Sequence, residues 1–143
     1  MPEAQFNFGV MYAAGRGVPR DAAAAAGWFR LAARQGFAEA QHAIGTLHLT
    51  GRGVNQDMKV AVYWLREAAE QEYAAAQFNL DVLNEYGRGV PRSLSKARQW
   101  YERAATNGFD DADVQLASLD ARIADAEAGG EAGAKRRKKT GRL

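Results

Sequence analysis

Small and apolar residues at Ala40, Ile44, Leu47 and Gly51 are spaced i, i+4, i+7 and i+11. That spacing lines one face of a helix and predicts a segment of about ten residues in this state. Farther on, Ala61, Trp64, Leu65, Ala68 and Ala69 form a second stripe at helical spacing. Between the two lies Gly51-Arg52-Gly53-Val54. Gly51 suits the left-handed conformation that ends a helix, and Gly53 permits the tight reversal that follows. Asp57 stands at the start of the second stripe, where a carboxylate accepts from the free amides of a first turn. The pattern therefore predicts helix, glycine turn, helix.

The same pattern recurs with a period of 36 residues and no gap. Gly15-Arg16-Gly17-Val18 and Gly87-Arg88-Gly89-Val90 copy the turn, Asp21 and Ser93 copy the N-cap, and the three tryptophans, Trp28, Trp64 and Trp100, share one phase. Ala4-Gln5, Ala40-Gln41 and Ala76-Gln77 mark the first helices, while Phe37, Tyr73 and Phe109 mark the joints between units. The buried stripes of the other second helices are expected at Ala25, Trp28, Phe29, Ala32 and Ala33, and at Ala97, Trp100, Tyr101, Ala104 and Ala105. A fixed period of this length signals stacked supersecondary units, each too thin to bury its apolar face alone. The organisation expected is repeat 1 over 1–37, repeat 2 over 38–73, repeat 3 over 74–109, a capping helix over 110–128, and a linker with a basic tail over 129–143.

Composition agrees with thin helical layers. Of 143 residues 30 are Ala, whereas Leu, Ile, Val and Phe together number 26, too few for one large central core and ample for close-packed helix pairs. The chain has no Cys, which excludes disulfides, thiolate zinc sites and thiol nucleophiles. No apolar run reaches the length of a membrane span, and the N-terminus lacks the pattern of a signal peptide, so the expected location is cytoplasmic, or periplasmic or secreted for a processed fragment.

The pattern Ala-x3-Leu-Gly-x2-Tyr, then Gly-x-Gly-Val-x2-Asp, then Ala-x2-Trp and Ala-Ala-x2-Gly resembles the Sel-one-like repeats (SLR) over residues 4–109. That resemblance implies an all-α fold, a right-handed α/α solenoid of the tetratricopeptide-like kind, and a function as a protein-protein interaction adaptor or scaffold without a cofactor. Departures from the pattern are Glu72 in place of the glycine found at Gly36 and Gly108, Asn84 at a tyrosine position, and Asp81 where units one and two have Gly9 and Gly45. Asp81 is expected to face solvent in a locally loosened third unit, so that Asp81→Gly would stabilise the fold. The first unit has no N-terminal cap, which leaves its edge for an upstream segment or a partner.

Two faces of the first helices differ in character. Ala4, Phe8, Met11 and Tyr12 match structural positions of the other units and are expected in the core. A second stripe, Phe6, Val10, Ala13 and Ala14, varies between units as His42, Thr46, Leu49 and Thr50, then as Phe78, Val82, Glu85 and Tyr86. In tetratricopeptide-like stacks the first helices line the concave surface, so the resemblance implies a partner groove with Phe6, His42 and Phe78 as apolar anchors. The alternative is that these side chains pack between neighbouring first helices.

Charge is divided along the chain. Residues 1–134 carry 13 basic and 17 acidic side chains, while Lys135, Arg136, Arg137, Lys138, Lys139 and Arg142 form a tail of six cations without an acid. Such a run attracts nucleic acid, anionic lipid or acidic protein surfaces in a salt-dependent way, the alternative to the adaptor reading. A solvated terminus is the plainer account of the tail. Catalytic readings are weaker still. His42 and His48 lie six residues apart on different sides of a helix, too far around to share a metal. Ser93-Leu94-Ser95-Lys96 matches the Ser-x-x-Lys element of serine β-lactamases, but the partner motifs are absent and Ser93 sits at an N-cap phase. β-Lactam hydrolysis is thus the least favoured function, and no catalytic, cofactor or metal residues are expected.

Overall fold

The computed structural model describes residues 1–109, and the expected capping helix and basic tail lie outside the described residues. Within these bounds the chain forms six helices: α1 (Pro2–Ala14), α2 (Ala22–Arg34), α3 (Ala38–Thr50), α4 (Met58–Glu70), α5 (Ala74–Tyr86) and α6 (Leu94–Thr106). Each is 13 residues long, somewhat longer than the apolar spacing predicts. Every helix packs chiefly on its neighbours in sequence, α1 on α2, α2 on α3 and onward to α6. That ordering of contacts defines an all-α solenoid, a stack in which each layer is stabilised by the next.

The local causes repeat with the period. Gly15, Gly51 and Gly87 end the first helices at φ of 70°, 71° and 67°. Asp21, Asp57 and Ser93 cap the second helices, accepting from Ala24 N–H at 3.0 Å, Val60 N–H at 3.2 Å and Lys96 N–H at 3.1 Å. The reversal is closed by the capping residue's own amide, which donates to Tyr12, His48 or Asn84 carbonyl oxygen at 2.8–3.0 Å. Between units, Gln41 Nε2 reaches back to the Ala33 carbonyl at 3.2 Å, and Gln77 Nε2 to the Ala69 carbonyl at 3.0 Å. The recurrent glutamine thus adds a side-chain donor to a carbonyl at the C-terminal end of the preceding second helix, which also accepts from the Gly36 or Glu72 N–H.

The core runs along the stack as a thin seam of Ala25, Ala32, Ala40, Ile44, Ala61, Leu65, Ala68, Ala76 and Leu80, each 1% exposed or less. Two expectations need correction. Phe8, at the phase of Ile44 and Leu80, is 44% exposed, and Ala4 is exposed as well. Ile44 and Leu80 pack with the second helix of the unit before, whereas α1 is the first of the described helices, and the Phe8 ring meets that of Trp28 with centroids 5.1 Å apart. The three tryptophans are half-buried rather than core, as is Ala105, because each indole spans the border between the seam and the outer surface of its second helix.

The third unit also differs from expectation. Asp81 is fully buried, not solvent-facing. The neighbouring chemistry explains why the unit does not loosen. A Cβ at Gly9 would stand 2.6 Å from the Phe29 ring, and one at Gly45 would stand 2.9 Å from Leu65 Cγ. In the third unit the facing residue is Tyr101, whose hydroxyl hydrogen-bonds the Asp81 side chain. A carboxylate has replaced hydrogen where a phenol has replaced an apolar side chain. Burial and this carboxylate together push the Tyr101 phenol above its usual range.

Glu72 stands at the joint where Gly36 and Gly108 have positive φ, and it adopts φ 63° itself. Its carboxylate accepts from Gln77 Nε2 at 2.8 Å, from Asn107 Nδ2 at 2.7 Å, and from the Arg103 guanidinium. The Arg103 bond foremost, then those of Gln77 and Asn107, hold the carboxyl down at about 2. A left-handed backbone is thus retained for a side chain that ties the second joint to the third unit. Glu72→Ala is expected to melt below both the parent and Glu72→Gly, since alanine keeps the strain and drops the bonds while glycine drops both. A thermal melt of the three proteins checks that order. The carboxylate's contribution is present at neutral pH, above its unfolded pKa, and is lost as pH falls toward about 2.

Candidate functional site

The variable stripe of the first helices is built at three registers of one geometry. Phe6, His42 and Phe78 each lean on the aromatic residue of their own joint, with centroid separations of 5.4 Å to Phe37, 5.3 Å to Tyr73 and 4.6 Å to Phe109. Phe6 also meets Phe29 at 5.5 Å, and Phe78 meets Tyr101 at 5.9 Å. These rings anchor each first helix to its joint and stay half-buried. One turn on, Val10, Thr46 and Val82 are likewise half-buried, and the Thr46 hydroxyl donates to the Ala43 carbonyl at 2.8 Å. At the helix ends the units diverge: Leu49 is half-buried, Glu85 is 4% exposed, and Tyr86 is 64% exposed.

Successive first helices are also joined by a polar contact. Asn79 Nδ2 lies 3.0 Å from His42 Nε2, and with the imidazole neutral the amide donates to that nitrogen. Burial lowers the His42 pKa from 6.5, which keeps the ring neutral and this acceptor available. The unfolded chain therefore takes up a proton first as pH falls below 6.5, so stability drops there. The melting temperature is expected to decline from about pH 7 to about pH 5. His42→Phe, which copies Phe6 and Phe78, should flatten that decline. An unchanged slope would show that His42 is not its source.

A second set of surface features lies along the second helices, where the sequence reading placed no site. A hollow of about 390 Å³ is lined by Asn84, Arg66, Lys96, Gln99, Trp100 and Arg103 together with Val90 and Pro91. A neighbouring hollow shares Gln99 and Arg103 and adds Glu72, Glu102, Thr106 and Asn107. A third is lined by Trp64, Tyr63, Glu67, Arg34 and Gln41. None of the first-helix stripe residues lines these three. A signal was available: Lys96 stands where the other units have Ala24 and Val60, a unit-specific charge at an otherwise apolar phase.

Ser93 spends its hydroxyl as the acceptor for Lys96 N–H, in the capping role its phase suggests. His48 Nδ1 pairs with the Asn55 carbonyl at 3.1 Å and lies apart from the His42–Asn79 contact. Among the described residues no group of His, Cys, Asp and Glu is placed to hold a metal ion, and no helix is long and apolar enough to cross a membrane.

Comparison with known proteins gives a consistent picture. The family model described as the Sel1 repeat matches residues 2–37, 38–73 and 74–109. A Sel1 repeat protein from Oxalobacter formigenes is similar at 39% identity and a TM-score of 0.78, over 80% of this chain and 47% of that one. A protective antigen of uropathogenic Escherichia coli with an SLR fold is similar at 39% identity and a TM-score of 0.81, over 83% of this chain and 26% of that one. The chain thus spans less than half the length of either relative. Helicobacter pylori cysteine rich protein B shares the fold at 19% identity and a TM-score of 0.60, over 62% of this chain and 66% of that one. Comparison with curated protein sequences returned no match.

Proposed function

The chain belongs to the Sel1 repeat family, whose members are generally protein-interaction scaffolds, and on that footing we propose that it holds an extended segment of a partner protein across the row of first helices. The observation that carries this reading is the stripe itself. Phe6, His42 and Phe78, then Val10, Thr46 and Val82, keep part of their surface accessible at three equivalent registers, while the opposite face of α3 and α5 is sealed at Ile44 and Leu80. Tyr86 adds an exposed aromatic side chain at one end, a residue type that anchors interfaces well. The joint contacts of Phe6, His42 and Phe78 hold the rings in place, so a partner meets a rigid surface and loses little entropy in ordering it.

A photo-crosslinking residue placed at Val82 or at Tyr86 tests this in native extract. The expected result is a discrete adduct from both positions, absent when the residue is placed at Lys59 on the outer end of α4, and retained when residues 135–143 are deleted. Equal adducts from all three positions would contradict the first-helix assignment. Loss of the adduct on deleting the tail would favour the basic terminus as the binding element.

A further inference from the structure

We propose that the hollow around Trp100 is a second binding site, specific for a carboxylate on an acidic protein segment, separate from the first-helix surface and independent of whether that surface is occupied. The hollow, about 390 Å³, brings together three cationic side chains from two helices, Arg66 of α4 and Lys96 and Arg103 of α6, around the half-buried Trp100 indole. Arg103 is already committed: its guanidinium lies 4.7 Å from the Trp100 ring centroid and is held by Glu72, with Glu70 at 3.9 Å. Arg66 and Lys96 are not. Among the described residues neither has a carboxylate within ion-pair distance, and both are exposed at the rim. Two uncommitted cations facing one pocket repel each other, and an incoming carboxylate relieves that repulsion while accepting charge-assisted hydrogen bonds. The indole and the Arg103 plane on it supply a preformed flat wall for the aliphatic part of the bound side chain.

The charge around the hollow selects a peptide over a nucleic acid. Glu67 and Glu70 of α4, Glu72 of the joint after it and Glu102 of α6 stand along this side of the stack, and Glu72 and Glu102 line the adjoining hollow that shares Gln99 and Arg103. A polyphosphate backbone needs a continuous basic track and would run into these acids. A segment bearing one or two carboxylates, followed by hydroxyl or basic side chains, meets favourable charge in both hollows. Units one and two lack the site, since Ala24 and Val60 replace Lys96 and Leu31 and Glu67 replace Arg103.

Site-resolved titration tests the proposal on the full chain, because the basic tail also attracts acids. The three indole N–H resonances, assigned by single Trp→Phe variants, are followed by NMR on adding short polyglutamate, polyglutamine or oligothymidylate. The expected result is a saturable shift of the Trp100 resonance with polyglutamate alone, while Trp28 and Trp64 stay in place. Arg66→Glu combined with Lys96→Glu should weaken that binding at least about tenfold. Should that pair perturb folding, Lys96→Ala copies a residue already tolerated at Ala24 and should weaken binding several-fold. A Trp100 resonance that stays still while polyglutamate binds elsewhere would overturn the site. So would a shift unchanged in either variant, and a stronger shift with oligothymidylate would overturn the choice of a protein ligand.

Discussion

Gly53→Ala is expected to destabilise the protein by about 3 kcal/mol or more, whereas Gly17→Ala, the same substitution one repeat earlier, should cost about 1–2 kcal/mol. Both glycines have a left-handed backbone, at φ of 72° and 74°, so both substitutions carry the same conformational penalty. They differ in what surrounds them. A Cβ at Gly53 would stand 2.3 Å from the Ala22 carbonyl oxygen, while one at Gly17 meets nothing within 4 Å. The obstacle is backbone at the start of α2, which cannot rotate away, so relief requires unit two to move off unit one. Gly89 repeats the arrangement one seam later, with a Cβ 2.9 Å from the Met58 carbonyl oxygen. Urea unfolding of Gly17→Ala and Gly53→Ala measures the difference, which is the cost of prising the units apart. Equal losses would mean that the glycine turns do not set the spacing of the stack.

Asp81→Gly is expected to destabilise by about 1–3 kcal/mol, the reverse of what the position suggests in sequence. Gly9 and Gly45 face Phe29 and Leu65, and restoring glycine opposite Tyr101 leaves a buried phenol without its carboxylate partner. Tyr101 is 3% exposed, so water replaces that hydrogen bond poorly. Combining Asp81→Gly with Tyr101→Phe rebuilds the pairing of unit one, Gly9 with Phe29, and should recover a large part of the loss. A double-mutant cycle isolates the coupling, expected at about 1–2 kcal/mol in favour of the native pair. Additive effects of the two substitutions would show that the pair does not act together.

These two sites show what the residues disclose and what needs the third dimension. The period, the capping residues and the helix-ending glycines were legible because each is a local requirement: a free amide needs an acceptor, and a left-handed backbone favours glycine. The burial of Ile44 was legible for the same reason, being a matter of spacing on one helix. Phe8 was not, since its burial depends on a preceding helix that the repeat pattern suggests and the described chain does not supply. Asp81 was misread because its environment is set by a residue twenty positions away. The relation was nonetheless present in the chain, where Gly9 with Phe29, Gly45 with Leu65 and Asp81 with Tyr101 keep one offset. The first-helix stripe was found by its variation between units, but the packing of Phe6, His42 and Phe78 on Phe37, Tyr73 and Phe109 emerges only when the helices are folded on their joints. The cationic hollow went unseen because its charges come from α4 and α6, whose phases meet only across a seam.

The proposed partner surface is the row of first helices, and its most direct test is the affinity of the crosslinked partner segment for a chain carrying Thr46→Arg and Val82→Arg. Both residues are half-buried on the stripe and neither lines the Trp100 hollow, so a long cationic side chain at each obstructs the groove at two registers. With helicity and melting temperature retained, the segment should bind at least about tenfold more weakly than to the parent chain. Undiminished affinity in that folded variant would contradict the assignment of the partner to the first-helix surface.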